Sequence, residues 1–170
     1  FALKRNKVTF NVLQEYTRSG LLNNMYLISN NDIIEIIGNQ GLASYYDRIN
    51  DMVANTIHAL NVYNNTESIF GGIAKSKEIS RIKTFGLYDL EKNEEKLFFP
   101  LDNSTEVCYI YNVNDKKLKN DNNLLSSIRK KIETMRLNKL NASFAIYSSN
   151  HDKMFCHLIK STHYIQKEIT

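Results

Sequence analysis

A change of hydrophobic period near the midpoint constrains this chain more than any other feature. Leu42, Tyr46, Ile49, Val53, Ile57, Leu60 and Tyr63 recur at intervals of three and four, the spacing that lines up side chains on one stripe of an α-helix. A stripe of this kind has to be covered, so Leu42, Tyr46, Ile49, Val53, Ile57 and Leu60 are expected to pack against a second layer. Past a loop at 68–77 the pattern changes. "ISRIKTFGLYDL", "EKLFFP" and "STEVCYIYNV" are rich in β-branched and aromatic residues and are separated by the turn formers "EKNE" and "LDN", which predicts three successive antiparallel strands. The polar loop "NDKKLKNDNN" then leads into a helix over 123–138, with Leu124, Leu125, Ile128, Ile132 and Met135 on one face. Two last strands, "ASFAIY" and "KMFCHLI", are joined by the turn "SSNHD".

The opening stretch "VTFNVLQEYTRSGLL", residues 8–22, supports two patterns. A helix would stack Val8, Val12 and Tyr16; a strand would alternate Val8, Phe10 and Val12 and turn over at Ser19-Gly20. Val, Thr, Phe and Tyr favour strands, so the reading is strand, turn, strand, with "NNMYLIS" as the return. Asn30 or Asn31 then caps a short helix "DIIEII" that stops at "GNQG". Together these elements predict an α+β fold, a helical N-terminal half packed on a curved antiparallel sheet. At 170 residues the length suits a single domain spanning 1–170.

Composition excludes little. The chain is 42% hydrophobic and 24% charged, ordinary for a globular protein, and its 22 Asn fit a compositional bias better than a function. The sequons at Asn64, Asn103 and Asn141 are therefore given no weight. No apolar run reaches the roughly 18 residues of a membrane span. Phe1-Ala-Leu followed by Lys4, Arg5 and Lys7 fits the flank of an excised membrane anchor as well as it fits a trimmed cytoplasmic protein. Charge is uneven. Residues 116–170 carry eleven Lys/Arg against four acids, while 51–115 carry six against ten.

Candidate chemistry fails on geometry. His151, His157 and His163 fall near Cys156 and Asp152, but Cys156 and His157 point to opposite sides of a strand and the spacing matches no zinc pattern. For the same reason Cys156 and His157 cannot form a nucleophile pair. His58 adjoins the helical stripe and reads as a surface residue. Cys108 and Cys156 read as buried thiols, with a disulfide between them left open. "FGGIAKS" offers glycines with Lys75 and Ser76, yet a phosphate loop needs a contiguous Gly-Lys-Ser after a strand, and this loop follows a helix. The Ser-x-x-Lys pair Ser127 and Lys130 lacks its companion motifs in the required order. Arg129, Lys130, Lys131, Arg136 and Lys139, with Tyr109 and Tyr111 as a stacking platform, raise nucleic-acid binding. Against this, Tyr109 and Tyr111 alternate in register with Val107 and Val113, as on a core-facing strand. No catalytic, cofactor-binding or metal-ligating residue is assigned.

On "LKRNKVTFNVLQEYTRSG", an extended segment ending in turn chemistry and followed by helices and then a sheet, the chain resembles the periplasmic domain of the VirB-type assembly subunit, the eighth of its set, of type IV secretion systems. The resemblance implies a cone-like fold akin to nuclear transport factors and no enzymatic activity. It also implies placement at the periplasmic face of the inner membrane, and contacts with other envelope-complex subunits and with itself as a weak homodimer. The family's Asn-Pro-x-Gly is absent, since Pro100 is the only proline, and no binding residue is carried over. The alternatives are a sensor or ligand-binding domain of a membrane receptor, then a nucleic-acid binder, with a cytoplasmic location as the alternative placement.

Overall fold

The computed structural model describes residues 2–38, 41–73 and 78–167, and the side chains of Ala2, Leu3 and Leu42 fall outside that description. The opening stretch is a helix, α1 (Ala2–Arg18), not strand, turn, strand. Its inward residues Phe10, Gln14 and Thr17 follow helical spacing, and Gln14 and Thr17 are fully buried. Two of the three are polar, so the covered face left no hydrophobic period to read, and the strand propensity of Val, Thr and Tyr was outweighed by tertiary contacts. The expected return strand shrinks to β1 (Met25–Tyr26), which pairs parallel to a later strand and forms no hairpin.

Helix α2 (Asn30–Ile37) starts one residue earlier than a cap at Asn30 would require. The cap is Ser29, whose hydroxyl accepts from the Asp32 N–H at 3.4 Å. A 3-10 turn at Leu42–Ser44 leads into α3 (Tyr45–Asn64). The long amphipathic helix is therefore present, but its covered stripe is rotated from the expected one. Ile49, Thr56, Leu60 and Tyr63 are buried and Met52 and Val53 half-buried, whereas Tyr46 and Ile57 are 69% and 43% exposed. Each outlier is one residue, about 100° of helix, from a better-covered position, half-buried Tyr45 or buried Thr56. A buried threonine hid the stripe's centre; its hydroxyl is satisfied by the Met52 carbonyl at 2.8 Å.

After the two-residue strand β2 (Phe70–Gly71) come β3 (Ile82–Asp89), β4 (Glu94–Leu97), β5 (Glu106–Asn114), α4 (Asp115–Asn120), α5 (Leu124–Leu137), β6 (Asn141–Ser149) and β7 (Phe155–Thr162). The strands form one sheet in the order β1-β3-β7-β5-β6-β2, with β4 also on β3. β3 and β4 are an antiparallel pair as expected. The remaining pairings differ from the predicted antiparallel meander, because β7 inserts between β3 and β5, and β5 inserts between β7 and β6. β5 and β6 run parallel, joined over the sheet by α5, as a parallel pair requires a long crossover.

The sheet is covered on both faces. Leu124, Ile128 and Ile132 of α5 meet Val107, Tyr109, Tyr111 and Val113 with Cys156 and Leu158. On the other face Ile33, Ile49, Leu60 and Tyr63 from α2 and α3 meet Phe85, Cys108, Ile110, Ala145 and Tyr147. This alternation places Cys108 and Cys156 on opposite faces, and they form no disulfide with each other. The outer edge of β6 is blunted by β2, by Arg136 Nε donating to the Ala142 carbonyl at 3.0 Å, and by a Ser148 hydroxyl to Asp115 bond, so this edge is not a free template for strand addition.

Candidate functional site

Strand register assembles a site no single segment displays. Lys83 of β3 lies beside Ser161 of β7, Ser161 beside Glu106 of β5, and Glu106 beside Asn141 of β6. All four point to the α3 face by the period-two rule. The rows above them turn mostly apolar, through Phe85, Ile159 and Cys108 to Leu87, Ile110 and Ala145, with Ser143 and His157 the exceptions. The α3 face thus has an oily middle and one polar end. Over that end opens a cleft of about 960 Å³, walled by Asn23 and Asn24 of the α1–β1 connection with Tyr26 of β1, by Asn64 at the end of α3 with Thr66 and Glu67 beyond it, and by Arg81.

Lys83 and Glu106 are both buried, at 8% and 9% exposure. Desolvation holds the Lys83 ammonium below its ordinary range, and the Glu106 carboxylate pulls it partly back. Deeper in, Tyr63 anchors α3 to the sheet. Its hydroxyl is bonded to the Asn112 amide and lies 3.2 Å from His157 Nδ1, while the Tyr147 hydroxyl donates to the Tyr63 carbonyl at 2.8 Å. Burial pushes the Tyr63 hydroxyl up to about 12 and His157 down to about 4, so both are neutral near pH 7 and this network is structural.

The residues weighed from sequence do not converge. His151 sits on the exposed β6–β7 turn, His157 faces α3, and His163 follows β7; among the described residues no group of three His, Cys, Asp or Glu could hold a metal ion. Tyr109 and Tyr111 are sealed beneath α5. The basic residues of α5 scatter. The Arg129 guanidinium lies 5.0 Å over the Phe70 ring, Lys131 turns inward to 3.0 Å from the Tyr88 ring centre, and Arg136 is tied to the Ala142 carbonyl. Burial brings Lys131 down to about 8. Ser127 bonds its own helix at the Asn123 carbonyl, and Lys75 and Ser76 lie outside the described residues. Sequence reasoning missed the Lys83–Glu106 row. Its one local signal is a charged residue at or next to the first position of each of two strands rich in β-branched and aromatic residues.

No family model matches the chain and no curated protein matches it in sequence. Solved structures do match in fold. The GDP-form protofilament of TubZ from Bacillus thuringiensis serovar israelensis superposes with a TM-score of 0.62 at 18% identity, over 91% of this chain and 48% of that one. CetZ from Methanosaeta thermophila gives 0.58 at 20% identity over 84% and 43%, and the empty FtsZ dimer of M. jannaschii 0.58 at 11% over 82% and 45%. The chain spans less than half the length of each.

This likeness overturns the secretion-system resemblance and the nuclear-transport-factor fold that came with it. The resemblance was built on residues 3–20 as an extended segment, and residues 2–18 are helical. With it go the roles as an envelope-complex subunit and as a receptor sensor domain, and the placement at the periplasmic face of the inner membrane. Among the described residues no helix is long and apolar enough to cross a membrane. The non-enzymatic assignment is overturned too, because a fold shared with a GDP-form filament protein cannot be set aside for want of a catalytic motif.

Proposed function

We propose that this chain forms one folded part of a self-assembling, guanine-nucleotide-dependent filament protein of the FtsZ and TubZ kind. The observation carrying this reading is the shared fold, a mixed sheet layered between helices that matches nearly half of a GDP-form TubZ protofilament subunit over 91% of the present chain. Self-association, expected from sequence as a weak homodimer, becomes end-on assembly of copies.

The chain's own residues do not fit the nucleotide. The cleft presents Glu67, Glu78 and Glu106 against Arg81 and Lys83, a lining that repels phosphates. Its Gly72 follows a strand only two residues long and, among the described residues, opens no helix, unlike the glycine-rich turns that cradle phosphate at a helix N-terminus. No catalytic step is derived from these residues.

The test is assembly. The full-length protein containing these residues is centrifuged at high speed and imaged by negative-stain electron microscopy with GTPγS, with GDP and without nucleotide. Nucleotide-dependent pelleting of filaments is the expected outcome. A protein that stays monomeric in all three conditions, and fails to bind a fluorescent guanine nucleotide, overturns the reading.

A further inference from the structure

The polar segment 114–123, expected from sequence to be a loop, opens with helix α4. Its cap is the Asn114 side chain, which accepts from the Lys116 N–H at 2.9 Å. The helix has no buried residue and meets the α5-side core through half-buried Leu118. Lys116, Lys117 and Lys119 are all exposed. The acids of the segment are occupied elsewhere: Asp115 holds the Ser148 hydroxyl, and Asp121 accepts from the Asn123 N–H at 3.0 Å. The ion pairs among the described residues, Arg18–Glu15, Lys96–Asp89 and Lys160–Glu95, leave the three ammonium groups out. Lys116 and Lys119 stand three residues apart, a like-charge spacing that works against a helix, so the cluster does nothing to stabilise α4 itself.

Between α4 and the start of α5 lies an open hollow of about 460 Å³, lined by Lys116, Lys117, Asn120, Asp121, Asn122 and Asn123. From this convergence we infer that the hollow is a docking site for an extended acidic peptide segment of a partner protein, with its carboxylates on Lys116 and Lys117. The asparagine amides both donate and accept, which suits them to the backbone of such a peptide. The chemistry favours carboxylates over other polyanions. A nucleic acid is held by arginine forks on phosphate and by aromatic faces under its bases; the lining has neither, and Tyr109 and Tyr111 are sealed beneath α5. An anionic bilayer is met by exposed apolar side chains set beside the cations, whereas every lining residue here is charged or an amide. The inference uses residues of this chain alone and stands independently of the filament reading.

The experiment titrates the full-length protein into a fluorescein-labelled peptide of alternating Glu and Ala and follows its anisotropy. A labelled single-stranded oligonucleotide and co-sedimentation with phosphatidylserine vesicles run alongside. Saturable binding of the peptide is expected at about 50 mM salt, with affinity several-fold weaker at about 200 mM because the charges are exposed and screened. The variant K116E/K117E should weaken it at least about tenfold by setting like charges against the peptide. The variant K7E/R48E changes net charge equally, on α1 and α3, and should weaken it less than about twofold. All four side chains are exposed, so neither variant should move the melting temperature. No peptide binding at the lower salt overturns the inference. Equal losses from the two variants overturn it too, because net charge alone then accounts for the binding. Tighter binding of the oligonucleotide or the vesicles, lost in K116E/K117E, also overturns it and gives the hollow to that class of partner.

Discussion

Truncating Ile49 and Ile57 separately to Ala tests which stripe of α3 carries the packing. Ile49 is 4% exposed among Ile33, Phe85 and Phe98 of the α3-side core, whereas Ile57 is 43% exposed. Ile to Ala removes three carbons, a transfer loss of about 2.4 kcal/mol at ~0.8 kcal/mol per buried methylene. At Ile49 the enclosed site collapses only in part and adds a cavity term, giving about 3 to 4 kcal/mol. Ile57 is covered over little more than half its surface and opens to solvent, so no cavity forms and the loss is about 1 kcal/mol. Urea unfolding followed by far-ultraviolet circular dichroism, with the slope m checked for constancy, reads both values. Equal losses at the two positions, or a larger loss at Ile57, would refute the rotated stripe and restore the one that spacing alone predicts.

Because burial lowers His157 to about 4 against an unfolded value near 6.5, the unfolded chain binds the extra proton first on acidification. Stability contributed by neutral His157 is therefore full above about pH 6.5 and lost as pH falls toward 4. His157→Gln should flatten urea midpoints between pH 7 and pH 5 relative to wild type. Lys131 runs the other way along the pH axis: held down to about 8 by burial, its charged form opposes folding, so stability should rise as pH climbs from about 8 toward 10, and Lys131→Met should remove that rise. Gln14→Ala strips both partners from the Gln166 backbone and should cost about 1 to 3 kcal/mol in the same unfolding assay, with loss of amide protection at Gln166. Gly86→Ala places a Cβ against the Lys96 carbonyl, so it should unpair β4 from β3 and lower the melting temperature more than alanine at the exposed turn residue Lys92.

Local pattern determined the elements whose covered face is apolar. Helix α5 falls at Leu124–Leu137, within the expected 123–138, because Leu124, Ile128 and Ile132 are both its helical stripe and its buried one. The strands around Tyr88, Tyr109 and Leu158 were legible for the same reason, as was the core-facing role of Tyr109 and Tyr111. Local reading failed where a polar residue occupies a covered position, at Gln14 and Thr17 in α1 and at Thr56 in α3. These side chains are tolerated inside by hydrogen bonds, Gln14 to a residue 152 positions away and the two threonines to their own helix, and hydrophobicity carries no trace of that. Strand order was likewise beyond the sequence. Propensity says that β5, β6 and β7 are strands but not that β5 lies between the other two, because pairing is settled by which faces α3 and α5 can cover together. The cleft follows from that order: Lys83, Ser161, Glu106 and Asn141 share one row only because β7 and β5 stand between β3 and β6. Sequence determined what a segment buries where its covered face is apolar, and tertiary pairing alone decided which segments meet, since backbone hydrogen bonds between strands are the same for every residue type and carry no address.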